Sequence, residues 1–100
     1  MYRVFIVIDK KGLVSNLGKA AEILVIDADS KAIIARLQNP ITLDPSVLEE
    51  YIEEYEPILL ITSSIDQNYA EIYEENGVKI YSVRPLHYNR ILEEIFGFQV

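Results

Sequence analysis

The chain has 100 residues, of which 50% are hydrophobic and 25% are charged, with 4 Gly, 4 Pro and no Cys. This composition excludes a disordered or low-complexity chain and predicts a single domain, residues 1–100, with a core of its own. Acidic residues outnumber basic ones by 16 to 9 and give a formal net charge of −7. We therefore expect no nucleic acid and no anionic membrane as a partner.

The side chains that the sequence lacks limit its metal chemistry. Without Cys, thiolate-bound zinc, Cys-ligated iron–sulfur clusters and Cys nucleophiles are excluded, and His87 is the only histidine. We therefore expect no metal site within one chain. No secretory leader and no apolar run near the ~20 residues of a membrane span occur, which predicts a cytoplasmic protein. The lack of Cys and the abundance of Ile and Glu are typical of a thermophile.

Hydrophobic runs predict three strands in the first part of the chain. The first run is apolar on both faces and is expected at the centre of a sheet that is covered on both sides. A polar turn from Asp9 to Gly12 and a loop from Leu13 to Ala21 follow it. The short connection from Ala28 to Ser30 requires the second and third strands to be antiparallel. The three runs are Val4 to Ile8, Glu22 to Asp27 and Lys31 to Leu37.

The middle of the chain predicts an amphipathic helix. Asp44 and Pro45 suit the N-cap and the first helical position, and Pro57 ends the segment. One face of this helix is apolar and packs on the core, whereas the opposite face is acidic. The apolar positions are Val47, Leu48, Tyr51, Ile52 and Tyr55, and the acidic ones are Glu49, Glu50, Glu53 and Glu54.

Two strands and two helices are predicted in the remaining sequence. Ser64 and Gln67 match a capping box that opens the first of these helices, and Gly77 ends it. Four helical tyrosines have core-facing spacing, and we expect their hydroxyls at the rim of the core. The apolar end, Phe96 to Val100, either covers the edge of the core or joins a subunit interface. The strands are Ile58 to Ile61 and Val78 to Val83, the last helix is His87 to Phe96, and the tyrosines are Tyr51, Tyr55, Tyr69 and Tyr73.

This order of elements predicts an α/β fold. A leading hairpin and two right-handed βαβ units give a mixed five-stranded sheet in the order 3-2-1-4-5, with only strand 2 antiparallel and helices on both faces. That arrangement is the ribonuclease H-like layout. No internal repeat, linker or second domain interrupts it.

The switch point between strands 1 and 4 is the predicted place for a ligand, beyond the carboxyl ends of both strands. Lys10 follows strand 1, while Thr62, Ser63 and Ser64 follow strand 4. The N–H groups of the helix that begins there, together with Lys10 or Lys19, predict an anion site. The alternative is that Ser64 only caps the helix and that the lysines are solvated.

Four aspartates suggest a metal-dependent nuclease, because ribonuclease H-type nucleases hold two Mg²⁺ ions with carboxylates. Asp is also a preferred turn and cap residue, and the acidic charge balance disfavours a nucleic-acid substrate. Turn and cap roles are therefore favoured, and His87 is interpreted as a partly buried surface residue. The aspartates are Asp9, Asp27, Asp29 and Asp66.

The loop after strand 1 has a distinctive sequence. Lys11 to Ala20 is Lys-Gly-Leu-Val-Ser-Asn-Leu-Gly-Lys-Ala, and the strand Ile23 to Asp27 follows it. This segment resembles the Gly-Leu-Val-Ser-x-His-Phe-Gly-x-Ala loop of the dinitrogenase iron–molybdenum cofactor-binding family, the NifX-type carriers and their small relatives. Ile58 to Tyr81 is similar to the family's strand, Gly-Gly turn, helix and Asn-Gly-Val-Lys-Ile-Tyr strand. The resemblance spans nearly the whole chain and implies the same α/β fold and a cofactor-carrier function.

The ligating residues of that family differ in this chain. The family loop has a His before its aromatic residue, whereas Asn16 and Leu17 stand there, in a loop one residue shorter. Ser63 and Ser64 replace the glycine pair after strand 4. His and Cys are the expected ligands of an iron–sulfur–molybdenum cofactor, and neither occurs at a matching position, so no ligating role is carried over. The loop residues that are carried over are Ser15, Gly18 and Lys19.

These observations leave three functional hypotheses. We expect a non-enzymatic accessory or carrier domain that binds an anionic cofactor or small ligand at the crevice. The first alternative is a protein-interaction module that has lost the ligand site and acts through its acidic helix face or by self-association. The least favoured is a metal-dependent nuclease or phosphotransferase. The candidate site residues are Lys10, Ser15, Asn16, Gly18, Lys19, Thr62, Ser63 and Ser64.

Overall fold

The computed structural model describes residues 2–39 and 46–99. Each element lies where the hydrophobic pattern predicts it, with small shifts at the ends, while the helix start predicted at Asp44 and Pro45 lies outside the described residues. No helix within them is long and apolar enough to cross a membrane. The strands are Arg3–Ile8 (β1), Glu22–Asp27 (β2), Ala32–Gln38 (β3), Leu59–Thr62 (β4) and Lys79–Ser82 (β5), and the helices are Ser46–Tyr55 (α1), Gln67–Glu75 (α2) and Tyr88–Glu94 (α3).

The five strands form one sheet in the predicted order β3-β2-β1-β4-β5. β1 and β4 are neighbours and run parallel, with Val4 opposite Leu59 and Ile6 opposite Ile61. β5 is parallel to β4, and β2 is antiparallel to both of its neighbours. β1 is therefore the central strand, which agrees with its apolar run, because a central strand covered on both faces has no solvent-facing side.

Alternate residues of β1 face two separate cores. Phe5 packs in a cluster with Leu48 of α1 and Tyr73 of α2. Ile6 points the other way and packs in a cluster with Ile91 of α3. Because successive side chains of a strand point to opposite faces, α1 and α2 cover one face of the sheet and α3 covers the other. The predicted placement of helices on both faces is confirmed.

Tyr73 is the exception among the four tyrosines whose hydroxyls were expected at the rim of the core. Tyr51, Tyr55 and Tyr69 are partly buried and pack against the core, whereas Tyr73 is fully buried. Its hydroxyl is also buried and has no hydrogen-bond partner among residues 2–39 and 46–99. The expectation is wrong for Tyr73 because its ring lies inside the cluster that α1 and α2 form with the sheet.

The aromatic residues after α3 cover the edge of the second core. Phe96 and Phe98 are partly buried and pack against the cluster that contains Ile91. The N–H of Phe98 donates to the carbonyl of Leu92 at 2.9 Å, which holds the segment against α3. Of the two possibilities that the sequence left open for this segment, the described residues show the covering of the core.

The start of α2 differs from the prediction. The N-cap is Asp66, which is extended and makes no side-chain capping hydrogen bond. Ser64 lies before this cap, and its hydroxyl accepts a hydrogen bond from Asn16 at 2.7 Å. The predicted capping box of Ser64 and Gln67 is therefore wrong, because a tertiary contact occupies the serine hydroxyl. Residues 63–66 form a connection between β4 and α2 instead of the first turn of the helix.

Candidate functional site

The turn after β1 is built around the carboxylate of Asp9. Its Oδ1 accepts hydrogen bonds from the backbone N–H groups of Lys11 at 2.8 Å and Leu13 at 3.0 Å. Gly12 completes the turn with a φ of 85°, a conformation that favours glycine. The turn role predicted for Asp9 is confirmed. The same turn exposes Lys10 and Lys11 to solvent.

The loop that follows is tied to both central strands. Ser15 donates its N–H to the carbonyl of Val7 in β1 at 2.9 Å, and its own carbonyl accepts the N–H of Ser63 at 3.1 Å. Val14 donates its N–H to the carbonyl of Leu86 at 2.8 Å, in the segment before α3. The loop backbone therefore lies across the switch point between β1 and β4.

Asn16 is one of the two residues that stand in place of the His and aromatic residue of the resembling family, and it joins the loop to the segment after β4. Its Nδ2 donates to the Oγ of Ser64 at 2.7 Å, and its Oδ1 accepts the N–H of Gly18 at 2.7 Å. A Cβ on Gly18 would lie 3.1 Å from that Oδ1, so a residue without a side chain fits this position best. Both ends of the Asn16 amide are thus engaged within the protein.

Thr62 is fully buried, and its hydroxyl lies within hydrogen-bond distance of backbone carbonyls. Oγ1 lies 2.8 Å from the carbonyl oxygens of both Ser15 and Ser64, and its single hydrogen is donated to one of them at a time. Leaving a buried carbonyl without a hydrogen-bond donor lowers the free energy of unfolding. In this arrangement Thr62 positions the loop.

Lys10 and Lys19 meet at a cleft between the turn after β1 and the start of β2. Together with Lys11 they line a space of about 480 Å³. All three lysines are exposed. The other described residues that line this space, here called the lysine cleft, are Asp9, Leu13, Ala20 and Ala21.

Two residues of this region were missed by reasoning from the sequence. Lys11 lines the lysine cleft, and its signal was its place in the same polar turn as Lys10. Asn39 follows β3, and its Nδ2 donates to the carbonyls of Leu17 at 2.6 Å and Ala20 at 2.8 Å. Only the fold brings Asn39 to the loop, so no local pattern in the sequence could have identified it.

The eight predicted site residues fall into two groups at the same edge of the sheet. One group joins the loop to the end of β4, and the other lines the lysine cleft. None of the described residues lining the lysine cleft belongs to the segment after β4. The lysine cleft and the segment after β4 therefore lie at different parts of the loop. The joining group is Ser15, Asn16, Gly18, Thr62, Ser63 and Ser64, and the lining group is Lys10 and Lys19.

Acidic side chains near the hairpin between β2 and β3 accept hydrogen bonds from backbone N–H groups. Asp27 Oδ1 accepts the N–H groups of Asp29 at 3.0 Å and Ser30 at 3.3 Å, as its predicted turn role requires. Asp29 Oδ2 accepts the N–H of Tyr2 at 2.9 Å. Within residues 2–39 and 46–99 no group of three or more His, Asp or Glu side chains is arranged to hold a metal ion.

Comparison with known proteins identifies the fold. No family model and no curated protein matches the sequence. The chain is similar to the crystal structure of PH0822, with a TM-score of 0.74 and 18% identity over 95% of this chain and 90% of that one. It is similar to the NMR structure of a NifB-like protein of the DUF35 family from Thermotoga, with a TM-score of 0.74 and 23% identity over 93% of this chain and 85% of that one.

A third similar structure is the apo form of the orange protein from Desulfovibrio gigas, with a TM-score of 0.71. Its identity is 19% over 93% of this chain and 88% of that one. The similarity to all three structures covers nearly the full length of each chain, while the identities are low. These comparisons therefore establish a shared α/β fold.

Proposed function

We propose that this chain is a small accessory or carrier domain without catalytic activity, and that it binds an anionic cofactor or small organic anion at the lysine cleft. The observation that carries the proposal is the placement of three of the chain's five lysines around one space of about 480 Å³. The formal net charge of the chain is −7. A local cationic cluster in an acidic protein gives an anion one favourable place to bind.

The charges around the lysine cleft favour occupation by an anion. Three lysines line the same cleft, and exposed lysines contribute little to folding. Asp9 also lines the cleft, but its Oδ1 is occupied by the N–H groups of Lys11 and Leu13. An anion in the cleft is attracted by the lysine charges and accepts charge-assisted hydrogen bonds from the ammonium groups.

The remaining lining favours an organic anion. Leu13, Ala20 and Ala21 form a nonpolar wall beside the lysines. A nonpolar wall with a few polar groups is typical of small-molecule sites, whose volumes are about 300–1,000 Å³. The substrate class that fits is a carboxylate or phosphate group attached to a small carbon body.

The loop that carries Lys19 is held in place before a ligand binds. Asn16 links it to Ser64, and Asn39 links it to the end of β3. A site whose backbone is already ordered loses less conformational freedom on binding. This preorganisation supports a binding function for the loop.

Sequence and fold similarity support the carrier part of the proposal. The orange protein structure is an apo form, the term for a protein without its ligand, and the loop resembles that of the iron–molybdenum cofactor-binding family. We assign the sheet to the ribonuclease H-like layout on the same grounds. The residues do not fit an iron–sulfur cluster held by thiolate and imidazole. The sequence has no Cys, and the side chains of Asn16 and Ser64 form a hydrogen bond with each other. The proposed ligand is therefore an anion held by lysines.

An NMR titration of the full chain with citrate, a compact tricarboxylate, tests this function. We expect amide shift changes concentrated at residues 9–13 and 19–21, and several-fold weaker binding in Lys19→Ala. Lys79→Ala is the matched control, because it removes a lysine that lines a different cleft, beside α2. Equal losses in the two variants, or shift changes spread over the whole surface, would contradict the proposal.

A second candidate function is supported by the acidic face of α1. Four glutamates of this helix are exposed, and they lie opposite the residues that pack on the core. Such a face is tolerated in solvent, and it also suits a basic protein partner. We propose the interaction module as the alternative, which neutralising the four residues would test. They are Glu49, Glu50, Glu53 and Glu54.

A further inference from the structure

A second, smaller cleft adjoins the turn after β1. It shares Asp9, Lys10 and Lys11 with the lysine cleft and has a volume of about 230 Å³. We infer that this cleft, here called the histidine cleft, binds a small tetrahedral oxyanion such as inorganic phosphate. The inference goes beyond the proposed function, because Arg36, His87 and Tyr88 line the histidine cleft and do not line the lysine cleft. The other described lining residues are Ile8, Gly12, Glu22, Arg36, His87 and Tyr88.

His87 supplies a hydrogen-bond donor with a defined orientation. Its Nδ1 accepts the backbone N–H of Asn89 at 3.1 Å and so caps α3. A ring nitrogen that accepts a hydrogen bond carries no hydrogen, so in the neutral imidazole the hydrogen is on Nε2. Nε2 is thus a donor in both protonation states of the ring. The ring stacks on Tyr88 with 4.6 Å between centroids, which fixes its plane.

Gly12 lies against the rings of His87 and Tyr88 in the lining of this cleft. A Cβ at Gly12 would lie 2.6 Å from Nε2 of His87 and 3.2 Å from the ring of Tyr88. Any side chain at this position would therefore collide with the imidazole. The glycine is required by its φ of 85°, and its lack of a side chain lets both rings pack closely against the turn after β1.

Arg36 and Tyr88 also line this cleft and provide further donors. Arg36 Nη2 donates to the Oη of Tyr88 at 3.2 Å, and its Nη1 lies 3.6 Å from the carboxylate of Glu22. The guanidinium has five N–H donors, so others are available to a ligand. Because the phenol oxygen accepts from Arg36, its own hydrogen is free to be donated.

The size and lining of the histidine cleft select a small oxyanion. Ammonium, guanidinium, imidazole and phenol donors surround it from several sides, which suits the four oxygens of phosphate better than the two of a carboxylate. Ile8 is fully buried, so the cleft offers almost no nonpolar wall for a carbon body. Of its two carboxylates, Asp9 is tied to backbone N–H groups and Glu22 is paired with Arg36.

Calorimetric titration of the full chain with inorganic phosphate tests this inference. His87→Asn removes Nε2, while the asparagine Oδ1 still caps α3. We expect phosphate binding to weaken about tenfold, the effect of one lost hydrogen bond to a charged group. Tyr88→Phe keeps the ring and removes the phenol hydrogen, and it should also weaken binding. Arg90→Gln is the control, because Arg90 is an exposed cation that pairs with Glu94 outside the cleft.

The outcomes separate this inference from the proposed function. Phosphate affinity lowered by His87→Asn and Tyr88→Phe, but kept in Lys19→Ala and Arg90→Gln, would support the histidine cleft. Phosphate binding that responds only to Lys19→Ala would overturn this inference and leave the lysine cleft intact. No phosphate binding, or equal affinity in the wild type and His87→Asn, would also overturn it. Weaker binding of phenyl phosphate than of phosphate would support the size argument, and tighter binding would overturn it.

Discussion

The side-chain amide of Asn16 donates a 2.7 Å hydrogen bond to the hydroxyl of Ser64. This contact joins the loop after β1 to the segment after β4, the two pieces of chain that meet at the switch point of the sheet. It also explains the start of α2, because a serine hydroxyl held by Asn16 is not in the helix N-cap. One side-chain contact thus helps to hold the loop and keeps Ser64 out of the N-cap of α2.

We expect Asn16→Ala and Ser64→Ala to be coupled. Each removes the hydrogen bond between the two side chains, which should lower the free energy of unfolding by about 0.5–1.5 kcal/mol. Asn16→Ala should cost more than Ser64→Ala, because it also removes the acceptor of the Gly18 N–H. The double variant should cost less than the sum of the two single changes, by at least about 0.5 kcal/mol. Urea denaturation measures all three. Ser63→Ala is the control, since among the described residues its side chain makes no hydrogen bond, and strictly additive losses would contradict the contact.

The buried hydroxyl of Tyr73 should reduce stability. It lies in the core without a hydrogen-bond partner in the part of the chain that the structure describes, and a buried, unsatisfied polar group costs about 1–3 kcal/mol. We therefore expect Tyr73→Phe to raise the free energy of unfolding by about 1 kcal/mol. Tyr81→Phe should change it little, because Tyr81 is 54% exposed. A marked loss of stability in Tyr73→Phe would show that the hydroxyl has a partner.

The same residue predicts a pH dependence. Burial raises the pKa of Tyr73, so the phenol stays protonated in the folded chain while it ionises near about pH 10 in the unfolded chain. The folded-state pKa is higher than the unfolded-state pKa. Ionisation of this phenol therefore leaves the free energy of unfolding unchanged below about pH 10 and lowers it as the pH rises above about 10. This group contributes a loss of about 1.4 kcal/mol per pH unit. Urea denaturation between about pH 9 and 12 should show a shallower decline in Tyr73→Phe than in the wild type.

Replacement by alanine should lower the free energy of unfolding by different amounts at two glycines with positive φ. Gly12 has a φ of 85° and Gly77 a φ of 77°, so alanine is strained at both positions. A Cβ at Gly12 would lie 2.6 Å from His87 Nε2, whereas a Cβ at Gly77 would contact nothing within 4 Å. We expect Gly77→Ala to cost about 1 kcal/mol and Gly12→Ala clearly more, measured as free energies of unfolding. Equal costs would mean that the imidazole moves aside freely.

The central position of β1 is tested by a buried charge. Ile6 is fully buried, opposite Ile61 of β4, so Ile6→Asp places an unpaired carboxylate between the sheet and α3. We expect a loss of about 3–5 kcal/mol or failure to fold. Ile34→Asp, on the edge strand β3 at 43% exposure, is the matched control and should cost far less. Similar melting temperatures for the two variants would contradict the central placement.

The order of strands in the sheet was predictable because each strand and each short turn is indicated by residues that are neighbours in the sequence. The doubly apolar run at Val4 to Ile8 indicated a central strand, and the short link from Ala28 to Ser30 indicated a hairpin. The start of α2 was not predictable, because the contact between Ser64 and Asn16 spans 48 residues. Local patterns could not show that a distant side chain competes for the serine hydroxyl.

The position of the candidate residues in the fold was predictable, but their arrangement was not. The switch-point rule placed these residues beyond the carboxyl ends of β1 and β4, where Lys10 and Ser64 both lie. The sequence could not show that the lysines line one cleft while Ser64 joins the loop to β4. That separation depends on where Ala20 and Ala21 turn back toward β2, and on Asn39, which reaches the loop only in the folded chain.

Calorimetry with citrate on three forms of the full chain tests the central claim most directly. The forms are the wild type, a variant with Lys10, Lys11 and Lys19 changed to Ala, and one with Glu49, Glu50, Glu53 and Glu54 changed to Gln. Our account predicts that the lysine variant loses citrate binding and that the glutamine variant keeps it, because the three lysines line the cleft and the four glutamates are not among its described lining residues. Equal citrate affinity in the wild type and the lysine variant, or no citrate binding by the wild type, would contradict an anion carrier.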